Sequence, residues 1–471
     1  MGAKGNRMID KYYNGVIEQV VSGIGNVEHN SILVRYSNDF SIWDLESVNH
    51  YKDQSDIFFT CHEFSYNKIA EAYEPYLGLI RQMFHRYCSG TLEEFMEECD
   101  VYKLQRPVFE SYFEKGFCER TEQILIDEVE YEQERMRNSI VTMLQKLSEI
   151  RPVVIVLNRF QLASKSTMQL SNSLLQVKNK NIGIVLGVND VQSIPEFAHE
   201  EWDAICESMD DRNMVYHIGN AGRNMEPDVM DYYSDYESDD GYRKLNNLVY
   251  FLDFDQADHH LSKIERRIKF DNFTISEKKH YQLLLLQIMV SVLQRDIAKA
   301  LESCEDLEKL QDQEKEGAFY YNFWMATSYM YLGKLEEAMI YVQKAKECGE
   351  ALGDDFLVFR AELLKAQNQM SGWCNIFFCA QDIEISDKLI EKLNAYHYKN
   401  HLAHIYIYAY DNKPEIVAKA YRSEAFLIYF SKGVALAKEI GNEQLISIAY
   451  RKNIMIASTN GEYEVSLLYS I

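Results

Sequence analysis

Three histidines, His397, His401 and His404 in the stretch HYKNHLAH, recur at i, i+4 and i+7 and would share one face of a helix. Imidazoles at that spacing can hold zinc when a carboxylate or a further ligand converges from elsewhere in the fold. The alternative is histidines that line a groove or pack structurally, and the sequence favours it, because helices of repeat arrays often present polar faces. Asp255, His259 and His260 form a similar, weaker group. Cys61, His62 and Glu63 have the types of a nucleophile, a base and an acid. Neighbours on a strand point to opposite faces, so the Cys61 thiol and the His62 imidazole would not meet. The chain contains no H-E-x-x-H, no G-x-S-x-G and no G-x-G-x-x-G, and it has no kinase catalytic loop. No catalytic residue, metal or cofactor is expected.

The composition narrows the class of partner. Of 471 residues, 73 are acidic and 49 basic, a formal net charge of −24, so the surface repels nucleic acid and anionic lipid on average. The nine cysteines include no C-x-x-C pair and read as reduced thiols, which fits a cytoplasmic protein. No signal peptide or membrane-length apolar run is found, and Asn6 stands where a myristoylation motif needs Ser or Thr. Partners are therefore expected to be a protein or peptide, with no membrane and no direct nucleic acid.

Two kinds of element would carry these residues. Apolar runs at Ile32 to Val34, Asp56 to Cys61, Val153 to Leu157 and Ile182 to Val188 are short and rich in β-branched or aromatic residues, as buried parallel strands are. Long helical patterns at Tyr73 to Tyr87 and Glu122 to Ile150 separate them, which predicts a parallel α/β sheet with helices on both faces. Proline is scarce, only six in the chain, and the second half has continuous helical periodicity.

The order of these pieces resembles the nucleotide-binding domain of the signal-transduction ATPases with numerous domains, whose P-loop domain is followed by helical repeats. The resemblance covers roughly residues 10 to 220. It rests on SDIFFTCHEFSYNKIAEAYEPYLGLIRQMF, RPVVIVLNRFQLASKSTMQLSNSLL and NIGIVLGVND, which look like the family's second strand with its helix, its Walker B strand and its next strand. A working phosphate loop reads G-x-x-x-x-G-K-[ST]: the glycines let backbone N–H groups close on phosphate, the lysine neutralises charge and the hydroxyl holds magnesium. Laid over ILVRYSNDFSIWDL, that pattern puts Tyr36 and Ser41 at the glycines, Ile42 at the lysine and Trp43 at the hydroxyl residue. The Walker B acids are replaced by Asn158 and Arg159. The resemblance thus implies an ATPase-like fold retained without its chemistry. An unrelated α/β domain sharing the strand order is the alternative.

Glu226 to Asp240, with seven acids and no base, reads as a solvated linker, and an acidic docking motif is the other reading. Beyond it, YYNFWMATSYMYLGKLEEAMIYVQKAKECGEALGD matches a tetratricopeptide repeat, with Ala326 and Tyr329 in the first helix, Gly333 at the turn, and Ala338 and Ala345 in the second. Small residues there let two helices cross closely. A looser copy includes Ala449, and a further helix is expected to begin at Glu462 and to be cut short at Ile471.

The expected architecture is an α/β P-loop-like parallel sheet domain (1–225), an acidic linker (226–245) and an all-α tetratricopeptide-type solenoid (246–471), truncated at its C-terminal end. The expected function is that of a non-catalytic regulator or scaffold whose repeats bind a protein, peptide or effector on their concave face, and the resemblance implies that it is a bacterial regulator. The alternative is a nucleotide-binding switch with an altered phosphate loop, part of a larger transcription factor or cyclase.

Overall fold

Four of the apolar runs are strands: β1 (Ser31–Tyr36), β2 (Phe58–Glu63), β3 (Val153–Asn158) and β4 (Ile182–Asn189). A fifth, β5 (Val215–Ile218), pairs with β1 at the sheet edge. Its sequence signal is weak because an edge strand need not be apolar throughout, and Tyr216 in it is exposed. The sheet is parallel in every pairing, in the order β2-β3-β4-β1-β5. All residues of β3 and β4 are buried, as in a sheet covered on both faces. The chain leaves β1 toward the β2 edge and later crosses back to lay β5 on the other side. Strand order therefore reverses beside β1, and doubly wound sheets bind ligands at the carboxyl ends of the strands at such a point.

The computed structural model describes residues 2–25, 30–36, 42–52, 56–65, 68–120, 122–177, 179–189, 194–210, 214–218, 236, 238–271, 273–371, 387–408, 424–459 and 464. These form two compact units. One holds Met1–Val101, Val108–Cys118 and Glu132–His260, and the other holds Tyr102–Pro107, Glu119–Tyr131 and Leu261–Ile471. The units thus interleave along the chain, and residues 239–260 belong to the unit that contains the sheet.

The helices up to residue 270 are α1 (Gly2–Gly23), α2 (Glu46–Lys52), α3 (Tyr76–Tyr87), α4 (Leu92–Glu98), α5 (Arg106–Lys115), α6 (Val129–Ile150), α7 (Lys165–Gln176), α8 (His199–Asp210), α9 (Asp239–Tyr250) and α10 (Phe254–Phe270). The sequence reading did not mark α1, which buries Tyr13, Ile17 and Val20 at helical spacing and packs on β1, β3 and β4. Two helices start later than their periodicity suggests. Tyr73 has φ 55°, outside the right-handed helix, so α3 starts at Tyr76. The pattern read as helical from Glu122 does not form helix until Val129, because Glu122 and Glu128 are drawn into contacts described below. The last acids of the presumed linker, Asp239 and Asp240, lie in the first turn of α9, where negative charge complements the helix dipole. Ser238 caps that turn by accepting from Gly241 N.

The second unit contains α11 (Glu277–Leu293), α12 (Ile297–Glu308), α13 (Gly317–Tyr331), α14 (Leu335–Leu352), α15 (Asp355–Ser371), α16 (Asp387–Ala395), α17 (Lys399–Tyr408), α18 (Glu424–Ile440) and α19 (Glu443–Thr459). This is the expected all-α solenoid. In the well-matched repeat, Ala326 of α13 and Ala338 and Ala345 of α14 are fully buried. Tyr329 stacks on Tyr341 with ring centroids 5.6 Å apart. Gly333 turns the chain at φ 71°, a left-handed conformation that a Cβ penalises. Ala449 is likewise buried, in α19. The helix expected from Glu462 falls on residues of which only Glu464 is described.

Candidate functional site

The carboxyl ends of β1 to β4 bring together most of the residues that the sequence comparison laid over a phosphate loop and a Walker B strand. Tyr36, the last residue of β1, is opposite Asn189 of β4 and fully buried. Its hydroxyl reaches past β4 and donates to Asn158 Oδ1 at the end of β3, 2.8 Å away. Gly187 of β4 leaves the room. A Cβ there would come within 2.7 Å of Asn158 Oδ1 and would collide with the Tyr13 hydroxyl from α1. Asn189 N–H donates to Gln161 Oε1 at 3.2 Å, and Asn158, Gln161 and Asn189 are all buried.

Next to this neutral layer is a closed ionic one. Glu63 ends β2 opposite Asn158. One of its oxygens takes Arg159 Nη1 at 2.9 Å and the other takes the Ile42 N–H at 3.0 Å. Both side chains of the ion pair are mostly buried, at 17% and 11% exposure. Arg159 follows β3 in a left-handed conformation, φ 54°. Ile42, at the lysine position, buries its side chain, whereas Trp43 is 48% exposed with Lys52 Nζ 5.9 Å from its ring centre. Ser41 lies outside the described residues.

A triphosphate site needs convergent N–H donors, a cation for the β/γ charge and a carboxylate for magnesium. Here the Arg159 cation and the Glu63 carboxylate engage each other, and Tyr36 and Asn158 hold each other. Beside this crevice, burial pushes the Cys61 thiol up to about 12, with Lys52 pulling slightly back, and burial draws His62 down to about 4. At neutral pH the pair is thiol and neutral imidazole, which is not an activated nucleophile.

The histidine cluster divides. His397 precedes α17 at φ 61°, so it does not share a helix face with the other two. His401 and His404 do sit on α17, and each meets a carboxylate: His401 Nδ1 contacts Glu122, and His404 Nε2 lies 2.8 Å from Glu128. Glu122 also accepts the backbone N–H groups of His401 at 2.7 Å and Asn400 at 3.3 Å, in the first turn of α17. Glu128 further accepts Asn400 Nδ2 at 2.6 Å and Asn442 Nδ2 at 2.7 Å. Burial raises the Glu128 pKa, but the donors from His404, Asn442 and Asn400 outweigh it and hold the carboxyl at about 2. Among the described residues, no group of three or more His, Cys, Asp and Glu is placed to hold a metal.

Asp255 instead pairs with Lys165 at 2.7 Å, and His260 contacts Tyr236 and Gln256. Tyr396 and Tyr398 pack on Phe356 and Phe359 as core. Sequence reasoning missed Glu122 and Glu128 because their acceptor role depends on residues far along the chain.

No family model matches the chain, and no curated protein matches it. A solved structure similar to this one is that of a signal transduction ATPase with numerous domains bearing a tetratricopeptide repeat sensor, from Pyrococcus horikoshii. It is 12% identical and covers 96% of this chain and 81% of that chain, with a TM-score of 0.42. Among the described residues, no helix is long and apolar enough to cross a membrane.

Proposed function

We propose that the chain is a non-catalytic regulatory or scaffold protein. In this reading an ATPase-like domain serves as architecture, and the helical array recognises a protein or peptide. The observation that carries the reading is the Tyr36–Asn158 hydrogen bond, which joins the two positions that phosphoryl transfer would need and fills the space between them with satisfied neutral groups. The Glu63–Arg159 pair supports it, since this carboxylate at the end of β2 and the cation that follows β3 neutralise each other.

The test is thermal unfolding of the purified chain with and without ATP and magnesium, combined with a hydrolysis assay on the same sample. A nucleotide at 100 times its Kd stabilises a fold by about 2.7 kcal/mol. The expected result is no shift and no turnover at millimolar ATP. An upward shift without turnover would favour the altered-loop switch, and turnover would overturn both readings.

A further inference from the structure

Residues 122–131 belong to the helical unit, although they lie in the chain between elements of the other. They meet the array at two inter-helix turns. At the start of α17, the Glu122 carboxylate takes the place of a helix cap, accepting Asn400 N, His401 N and His401 Nδ1. Between α18 and α19, Tyr131 Oη donates to Gly441 O at 3.1 Å and accepts from Glu443 N at 3.1 Å, while Gln444 Nε2 donates to Asp127 O at 3.1 Å. Asn442, at that same turn, joins Asn400 and His404 around Glu128.

Six donors from the two turns thus converge on two carboxylates six residues apart. Residues 122–125 form no regular structure, and 126–128 make a single short turn. The segment is held by its acids and by Tyr131, with Ile126 and Val129 as buried apolar anchors. Any chain that bears two carboxylates at that spacing, can make the same short turn and carries an aromatic hydroxyl at the start of a following helix offers the array the same atoms.

We infer that the surface formed by Asn400, His401, His404 and Asn442 is a receptor groove for an acidic peptide segment of a partner protein. The chain's own residues 122–131 occupy it in cis and must be displaced. This rests on the reading of the array as a recognition surface, and it names the site and the chemistry of its ligand. A segment held in cis competes intramolecularly, so the intact chain binds a partner peptide more weakly than the bare groove would.

The probe is a fluorescent synthetic peptide with the sequence of residues 119–131, ERTEQILIDEVEY, and a control with glutamine at the positions of Glu122 and Glu128. Fluorescence anisotropy with the full chain is expected to give at least tenfold tighter binding to the double variant Glu122→Gln/Glu128→Gln than to the wild type. The glutamine control is expected to bind at least tenfold more weakly than the acidic peptide. Adding Asn442→Ala to the double variant should remove most of the gain. Equal affinity for the two peptides, or no binding to the double variant, would overturn the inference.

Should the double variant fail to fold, hydrogen exchange of the wild type decides. Excess acidic peptide is expected to speed exchange across residues 122–131, and unchanged exchange overturns the inference. Concentration-dependent dimerisation without peptide, with exchange at 122–131 insensitive to peptide, would overturn it in favour of strap exchange between two copies. The non-catalytic reading fails separately, on ATP turnover.

Discussion

Replacing Glu128 by alanine removes one buried carboxylate and takes that acceptor from three donors. Its side chain is 3% exposed, and it accepts from Asn400 Nδ2 at 2.6 Å, Asn442 Nδ2 at 2.7 Å and His404 Nε2 at 2.8 Å. A buried donor left without an acceptor costs roughly 1–3 kcal/mol. Asn442 retains a bond to Asn400 Oδ1 at 2.9 Å, and His404 is 16% exposed and so reaches water. Those two losses are softened, and the cost of desolvating the carboxylate itself is recovered, which leaves a net loss of about 3 kcal/mol.

The same three contacts also set the carboxyl's pKa. A carboxyl moved from 4.5 to about 2 is stabilised by about 3 kcal/mol in its charged form. The folded-state pKa is lowered, so this stability is complete above about pH 4.5 and is lost as pH falls toward 2. The assay is native-state hydrogen exchange of α17 amides beyond its first turn, in wild type and Glu128→Ala, between pH 7 and pH 3. The opening free energy is expected to fall by about 3 kcal/mol in the variant at pH 7, with the gap shrinking below pH 4.5. Asp127→Ala is the control. Its ion pair with Arg295 is exposed, at 83% and 67%, and its removal should change little. A Glu128→Ala loss below about 1 kcal/mol, or a gap that persists at low pH, would refute the reasoning.

Three further outcomes follow from the crevice. Tyr36→Phe should destabilise the sheet-containing unit by about 1–2 kcal/mol in urea unfolding, since it deletes a buried 2.8 Å hydrogen bond to Asn158, and it should create no ATP binding. Gly187→Ala should cost about 1–3 kcal/mol in the same assay, because the added Cβ meets Asn158 Oδ1 at 2.7 Å and collides with the Tyr13 hydroxyl in a packed core. Cys61, with its thiol pushed up from 9.0 to about 12, should alkylate with iodoacetamide at pH 8 roughly a thousandfold more slowly than an ordinary thiol, read by peptide mapping. Labelling at the ordinary rate would mean that the thiol pKa is not raised.

Local chemistry settled much of this protein in advance. The β-branched runs at 153–157 and 182–188 could bury both faces only as inner parallel strands, and they do. Ala326, Gly333, Ala338 and Ala345 announce a helix pair because close crossing requires small residues and the reversal requires a left-handed glycine. The lack of glycine and lysine after β1 is likewise a property of the sequence. Tertiary structure alone decided which groups meet at the ends of the strands and at the turns of the array. Tyr36 finds Asn158 across 122 residues, and His401 finds Glu122 across 279. Periodicity reports only which face of an element is apolar, whereas a carboxylate or hydroxyl accepts many donors equally well. Its partner is therefore fixed by which packing buries it, and no local pattern records that.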